Sequence, residues 1–164
     1  MIRVLFVCLG NICRSPMAEA VFRDLLEKEG LSAKISVDSA GTGDYHIGKR
    51  PHEGTRNLLD KYNIIYEGML ARQVDYGDWK KFDYIIAMDE HNITDLKRVN
   101  EETKEAYIAK LMDFVDDPSD VNVPDPYYTG NFDYTYELVS EGCSRLLDFI
   151  KKKHTFHKGE NENG

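Results

Sequence analysis

Residues 4–15, VLFVCLGNICRS, combine a short apolar run with a loop that leads into a helix. Residues 4–7 are rich in β-branched and aromatic side chains, which predicts a buried strand with Cys8 at its carboxyl end. Ser15 and Pro16 suit the N-cap and the first position of a helix, so we expect the helix to begin there. Its unpaired N–H groups and positive dipole end would face the loop, which is therefore a candidate anion-binding site.

The residue types in this segment suit phosphoryl chemistry. A thiol at Cys8, beside a helix N-terminus and an arginine, should favour the thiolate near neutral pH and act as a nucleophile. The planar guanidinium of Arg14 can bind two oxygens of a phosphoryl group in the transition state. Gly10 and Asn11 tolerate the left-handed backbone that turns successive N–H groups inward, and Ser15 can hydrogen-bond the sulfur. From spacing alone, a structural cysteine with an unrelated arginine downstream is an equal alternative; the strand, loop and helix context favours the reactive site.

Composition limits the possible classes of protein. A chain of 164 residues has the length of one domain and can bury a core without disulfides or metals. It contains no apolar stretch of about 18 residues and no secretory leader pattern, and its three cysteines do not form a disulfide framework. We therefore expect a cytoplasmic location. The formal net charge of −8 argues against a nucleic-acid binder, so any specificity for phosphate must be local.

Strand and helix patterns alternate along the chain. Helices are expected over residues 17–29, 52–62, 92–99 and 132–153, and strands over residues 35–40 and 82–88; residues 107–114 fit either. Such alternation predicts right-handed crossovers and a parallel sheet. We expect an α/β fold: a single domain over residues 1–153 with a doubly wound four-stranded parallel sheet, helices on both faces and a phosphate-binding loop at the end of the first strand. Residues 154–164 are charged and are expected to fray.

Several motifs carry a family resemblance. CLGNICRSPMAEA (residues 8–20) closely resembles the signature loop of the low-molecular-weight protein tyrosine phosphatases, which share their fold with thioredoxin-coupled arsenate reductases. The similarity continues through DSAGTGDYHIGKRP (38–51), FDYIIAMD (82–89) and VPDPYY (123–128), to about residue 150. The resemblance implies hydrolysis of protein phosphotyrosine and small aryl phosphates through a phosphocysteine on Cys8, with no cofactor and no metal.

Phosphoryl transfer from a tyrosyl ester to sulfur expels a phenolate, and a positioned acid that protonates the leaving oxygen typically accelerates such a step about 10²–10⁴-fold. Asp125 is the candidate, because Pro126 excludes helical backbone angles at the preceding residue and stiffens the loop. It resembles the acid of the family's Asp-Pro-Tyr-Tyr motif. The pair Asp117-Pro118 is interpreted as an ordinary turn. Deprotonated Asp125 would then serve as the base for water in the second step.

A deep slot with aromatic walls would admit phosphotyrosine and exclude shorter esters. The family resemblance and this chemistry together place the substrate-binding residues at Leu9, Gly10, Asn11, Ile12, Cys13, Ser15, Tyr45 and Tyr127. Tyr45 and Tyr127 would form the walls, and Leu9 and Ile12 the floor. The alternative for these tyrosines is that they only cover the edge of the core.

Two positions in or near the loop modify the expectation. The family pairs the cysteines corresponding to Cys8 and Cys13 in a reversible disulfide under peroxide; a small loop-filling hydrophobe is the alternative for Cys13. The family often has a histidine that braces the loop where this chain has Met69, so Asn11 and Ser15 would be held by backbone groups or water. A third residue, Asp89, follows a predicted strand. It could either stiffen the site or cap the helix that follows.

Two other functions remain as alternatives. An arsenate reductase would need two further relay cysteines, and the segment EHNI (90–93) that directly follows residues 82–89 contains no thiol. A non-catalytic phosphate-binding module would not need Asp125. The expected partners are phosphotyrosine-containing proteins, with a tyrosine kinase as a candidate, and neither nucleic acid nor a membrane. The five histidines do not form a metal-ligand cluster with the cysteines.

Overall fold

The protein folds around one parallel sheet; the structure, a computed structural model, describes residues 1–101 and 105–156. Its strands are β1 (Ile2–Cys8), β2 (Ile35–Gly41), β3 (Tyr84–Ala87) and β4 (Tyr107–Lys110), in the order β2-β1-β3-β4 with every pair parallel. The α-helices are α1 (Arg14–Lys28), α2 (Glu53–Lys61), α3 (Asp78–Lys81), α4 (Glu90–Val99), α5 (Pro126–Thr129) and α6 (Phe132–Lys153). This arrangement confirms the predicted fold class.

The side chains of β1 contribute to two layers of the core, because successive side chains of a strand point to opposite faces of the sheet. Val4 and Phe6 belong to the layer that contains side chains of α1, α2 and α6. Leu5 and Val7 belong to the layer that contains Trp79 of α3 and side chains of α4. Helices therefore cover both faces, and residues 4–8 of β1, which are all buried, run through the centre of the domain.

The start of α1 differs from the prediction. The helix begins at Arg14, and Cys13 occupies the N-cap position without a side-chain cap bond, so Ser15 is not the N-cap. The Ser15 hydroxyl is instead directed at the sulfur of Cys8, 3.0 Å away. Local propensity predicted that Ser15 caps the helix, but its hydroxyl contacts the loop sulfur instead.

Other boundaries shift by a few residues, and two short helices were not predicted. Residues 107–114 contain both β4 and a 3₁₀ turn over Leu111–Phe114. Helices α3 and α5 have four residues each, too short for a helical period to show in the sequence. Asp89 caps α4, which begins two residues earlier than expected.

The C-terminal segment begins with anchored residues. His154 Nε2 lies 2.8 Å from the hydroxyl of Tyr84, and Phe156 packs against the core. The fraying expected for residues 154–164 stays a prediction, and residues 157–164 lie outside the described part of the chain. Among the described residues, no helix has the length and apolar character needed to cross a bilayer.

Candidate active site

Cys8 occupies the position where doubly wound sheets bind ligands. It is the last residue of β1, which pairs with β2 on one side and with β3 on the other. The order of the strands reverses at β1, and crevices at such a point lie at the carboxyl ends of the strands. Helix α1 begins six residues later, so residues 8–14 form a loop between the strand and a helix N-terminus.

The loop wraps around the sulfur of Cys8. The N–H of Asn11 donates to Sγ at 3.3 Å, and Ser15 Oγ lies 3.0 Å from the same atom. Asn11 has a φ of 56°, the left-handed conformation that was expected there. Gly10 does not have a positive φ; a Cβ at this position would lie 2.9 Å from His46 Cδ2, so the imidazole packs closely over this glycine. The sulfur is buried among donors.

The amide of Asn11 is oriented by its hydrogen bonds and contacts the serine beside the sulfur. The N–H of Arg72 donates to Asn11 Oδ1 at 3.0 Å, and a backbone N–H can only donate. Asn11 Nδ2 therefore donates to Ser15 Oγ at 2.8 Å and to Ser39 Oγ at 2.9 Å. Ser15 Oγ accepts from Asn11, and its own hydrogen has two possible acceptors, the sulfur of Cys8 at 3.0 Å and Ala40 O at 3.5 Å. A thiolate at Cys8 can only accept, so Ser15 would then donate to it.

Ser39 and Glu19 extend the hydrogen-bond network that holds Asn11, where the family often has a histidine. Neither residue was identified from the sequence. Ser39 Oγ donates to Glu19 Oε1 at 2.6 Å, and Glu19 forms an ion pair with Arg23 one turn along α1. Burial raises the pKa of the Glu19 carboxyl, against the opposing effects of Ser39 and Arg23. Met69 packs against the core, and its Sδ accepts from Arg23 Nη1 at 4.0 Å. Asn11 is thus held by a serine and a backbone N–H.

Arg14 lies behind the loop and joins it to two carboxylates. Nη1 donates to Asp89 Oδ2 at 2.5 Å and to Val123 O at 3.0 Å, and Nη2 donates to Asp125 Oδ2 at 3.3 Å. Burial opposes the charged guanidinium, but the charges on Cys8 and Asp125 and the bond to Asp89 raise the pKa of Arg14 further. Arg14 Nε has no partner within the described residues, so it is available for an anion.

Asp89 has both of the roles that the sequence left open. Its Oδ1 accepts from the N–H of Asn92 at 2.8 Å and caps α4, while its Oδ2 accepts from Arg14. The rigid end of β3 and the helix that follows thus orient the guanidinium.

Asp125 is held at the mouth of the site by its own loop. Its backbone is extended, with φ −83° and ψ 111°, as expected before Pro126, which is the first residue of α5. Oδ1 accepts from the N–H of Tyr127 at 3.0 Å, and Oδ2 accepts from Arg14. The carboxyl group therefore faces the guanidinium while its backbone is anchored by a short helix.

A cavity of about 320 Å³ opens above Cys8. Its lining residues are Cys8, Leu9, Gly10, Ile12, Cys13, Tyr45, His46, Asp125, Tyr127 and Tyr128. Six of the eight predicted substrate-binding residues are among them, while Asn11 and Ser15 lie below the cavity and contact the sulfur. His46 and Tyr128 were not predicted. The volume lies at the lower end of the range of small-molecule pockets, about 300–1,000 Å³.

Cys13 is a buried free thiol in the same loop. Burial, together with the charges on Asp125 and Cys8, raises the pKa of Cys13 to about 12. Cys13 therefore stays protonated near neutral pH and does not compete with Cys8 as a nucleophile.

Comparisons with known proteins agree with this geometry. The family model described as low molecular weight phosphotyrosine protein phosphatase matches residues 3–156. The low molecular weight protein-tyrosine-phosphatase YfkJ of Bacillus subtilis is 55% identical over 153 residues, which cover 93% of this chain and 98% of that protein. Its crystal structure matches with a TM-score of 0.92 at 54% identity, over 94% of this chain and 98% of that one.

Two further similar proteins have names that state different phosphatase activities. PtpA of Staphylococcus epidermidis, a low molecular weight protein-tyrosine-phosphatase, is 47% identical over 93% of this chain and 96% of its own. The crystal structure of a Drosophila arginine phosphatase has a TM-score of 0.82 at 34% identity, over 90% of this chain and 97% of that one.

The chain belongs to the low molecular weight phosphotyrosine protein phosphatase family. It is accordingly an enzyme of the protein-tyrosine-phosphatase class, a hydrolase of phosphoric monoesters.

Proposed function

We propose that this enzyme hydrolyses phosphotyrosine in proteins, and small aryl phosphates, through a phosphocysteine on Cys8. The observation that carries the proposal is the convergence on one sulfur of Asn11 N–H and Ser15 Oγ, beside a buried Arg14 that also reaches Asp125. A nucleophile, a charge stabiliser and an acid thus surround one small cavity.

In the first step the Cys8 thiolate attacks phosphorus, and the bond between phosphorus and the phenolic oxygen breaks. Asp125 in its acid form gives its proton to that oxygen, so a neutral phenol leaves. The loop N–H groups and Arg14 stabilise the charge on the three equatorial oxygens. Binding of the phosphoryl group would draw the guanidinium toward it, and Nε is the donor without a partner among the described residues.

In the second step water attacks the phosphocysteine. Asp125, now a carboxylate, takes the proton of the water as its oxygen bonds to phosphorus, and the bond between sulfur and phosphorus breaks. Inorganic phosphate leaves, and Asp125 is again protonated. Ser15 donates a hydrogen bond to the departing thiolate and stabilises it, because a thiolate can only accept.

The change Asp125→Asn tests the proposed acid. We expect kcat/KM for phenyl phosphate to fall about 10²–10⁴-fold, because the phenolate leaves without a proton. For 2,4-dinitrophenyl phosphate, whose leaving group needs no proton, the loss in kcat/KM should be under about tenfold. Losses of equal size for both esters would contradict the role of Asp125 as acid.

Two alternative activities predict different results. An arsenate reductase would reduce arsenate with thioredoxin, and a binding module would bind phosphate without turnover that depends on Asp125. The Drosophila relative is called an arginine phosphatase, so phosphoarginine is the informative competing substrate. The aromatic rings of Tyr45, Tyr127 and Tyr128 around the cavity favour an aryl phosphate. Greater kcat/KM for phosphoarginine than for phosphotyrosine would overturn the proposed substrate class.

Lys49 and Arg50 place positive charge near the site in a protein whose net charge is negative. This local charge would attract substrates with acidic residues. Both are exposed on the loop that carries Tyr45, and Lys49 N–H donates to His46 O at 2.9 Å. We expect Lys49→Ala/Arg50→Ala to lower kcat/KM several-fold for phosphotyrosyl peptides with acidic flanks, and not for p-nitrophenyl phosphate. Equal effects on peptide and small ester would remove this role; the exposed pair Lys151→Ala/Lys152→Ala on α6 is the control.

Cys13 is proposed to protect the nucleophile during oxidation. Peroxide converts the Cys8 thiolate to a sulfenic acid; Cys13 then forms a disulfide with it and releases water. Dithiothreitol should restore most activity to the peroxide-treated wild type, and much less to Cys13→Ser, in which Cys8 oxidises irreversibly. Equal recovery of the two proteins would show that Cys13 has no protective role.

The setting that fits this chemistry is a reducing compartment, so we place the enzyme in the cytoplasm. Its partners there would be phosphotyrosine-containing proteins, with a tyrosine kinase as the source of substrate.

A further inference from the structure

His52 lies immediately before α2, at a junction between three segments. Its Nδ1 accepts from the N–H of Gly54 at 2.9 Å and caps the helix. Because that backbone N–H only donates, Nδ1 carries no hydrogen, and the neutral imidazole has its hydrogen on Nε2. The cap thereby fixes the orientation of the ring.

The imidazole of His52 packs between two aromatic rings. It stacks on Phe132, at the start of α6, with a centroid distance of 5.2 Å and an interplanar angle of 23°. It packs edge to face with Tyr127, with a centroid distance of 5.9 Å and an interplanar angle of 76°. The packing leaves little space: a Cβ at Gly54 would lie 2.5 Å from Phe132 Cε1. The ring therefore connects the segment before α2 to the segment that contains Asp125.

The same residue is bonded to the nucleophile loop. The N–H of His52 donates to Ile12 O at 2.7 Å, and Thr55 Oγ1 in α2 donates to Cys13 O at 3.2 Å. On its other side, the N–H of Tyr127 holds Asp125 Oδ1. A continuous path thus runs from the loop around Cys8, through the backbone and ring of His52, to Tyr127 and the carboxyl group of Asp125.

We infer that His52 is a positioning residue that sets the distance between the nucleophile loop and the acid loop. Its backbone fixes it to the first loop, its cap fixes the ring, and the ring supports Tyr127, whose N–H orients Asp125. Loss of the ring would leave the cavity and the sulfur in place but let the acid move away from the leaving oxygen. This inference rests on the proposed role of Asp125 as acid.

Two substitutions separate the ring from the cap. His52→Asn keeps a good capping side chain and removes the ring, whereas His52→Phe keeps a ring and removes the cap. We expect His52→Asn to lower kcat/KM for phenyl phosphate about tenfold more than for 2,4-dinitrophenyl phosphate. His52→Phe should keep the wild-type ratio of the two values and have a lower Tm. His91→Asn, at an exposed position of α4, is the control and should leave the ratio unchanged.

Fluorescence of Trp79, the single tryptophan, reports whether each variant is folded, since it is buried on the other face of the sheet. Should His52→Asn fail to fold, Tyr127→Leu removes the same ring contact and is expected to change the ratio in the same direction. In a folded double variant, His52→Asn should add no further change to the ratio of Tyr127→Leu.

Equal losses for both esters in His52→Asn, or no loss for either, would overturn the positioning role. Asp125→Asn, measured beside it, separates the two claims. If Asp125→Asn shows the leaving-group dependence and His52→Asn does not, only the inference on His52 is wrong. If Asp125→Asn lacks that dependence, both the proposed acid and the inference fail.

Discussion

Replacing Cys8 with serine is expected to lower kcat/KM for phosphotyrosyl peptides by at least about 10⁴-fold. The hydroxyl of serine is not ionised near neutral pH and is a far weaker nucleophile than a thiolate. The donors Asn11 N–H and Ser15 Oγ would remain, so the variant should still bind phosphopeptide. The measurement is steady-state kinetics together with calorimetric binding of a phosphotyrosyl peptide.

Cys143 provides the matched control for this change. It is completely buried in α6, where burial raises the pKa of its thiol, and its Sγ lies 3.7 Å from Ala18 O. Cys143→Ser is expected to lower Tm, because a hydroxyl is buried in the core, and to retain kcat/KM. Turnover by Cys8→Ser within tenfold of wild type would contradict the proposed nucleophile.

The change Arg14→Lys is expected to lower kcat about 10³–10⁵-fold, the range that a transition-state arginine contributes in phosphoryl transfer. Lysine keeps the positive charge but loses the planar fork that can bind two phosphoryl oxygens at once. It also cannot reproduce the bonds from Arg14 to Asp89, Val123 and Asp125. The effect should therefore be on kcat more than on KM.

Arg14→Ala beside Arg14→Lys separates charge from geometry. Similar losses of kcat in the two variants would show that the fork geometry dominates, as the contacts of Arg14 suggest. If Arg14→Lys keeps kcat within tenfold of wild type, the two-point binding of the phosphoryl group is wrong. Vanadate affinity offers an independent measure, because vanadate adopts the trigonal-bipyramidal geometry of the transition state.

The parts of the site that could be predicted are those encoded within a few consecutive residues. Residues 4–15 contain a strand, a loop and a helix start, so the positions of Cys8, Arg14 and Asn11 follow from local pattern and backbone preference. The same local logic placed Asp125 in an extended conformation before Pro126. The prediction of Ser15 as N-cap failed because a hydroxyl next to a helix start has two possible partners, and the sulfur was the one used.

The parts that could not be predicted depend on contacts between distant segments. Ser39 contacts Asn11 across 28 positions, and Arg72 across 61. His46 lies over Gly10, a contact that no periodicity of the sequence encodes. The sequence pattern placed His52 at the start of a helix and did not predict that its ring packs against Tyr127 of α5. Such partners become apparent only once the sheet order brings the loops together.

A covalent phosphoenzyme is the central claim, and rapid acid quench during turnover of a ³²P-labelled phosphotyrosyl peptide tests it most directly. The quenched protein is brought at once to alkaline pH for digestion and peptide mapping, because the bond between phosphorus and sulfur hydrolyses fastest in mild acid. Transient label is expected on the peptide that contains Cys8, and no label is expected on that peptide in Cys8→Ser. Turnover by the wild type with no label on that peptide at any quench time would contradict the claim.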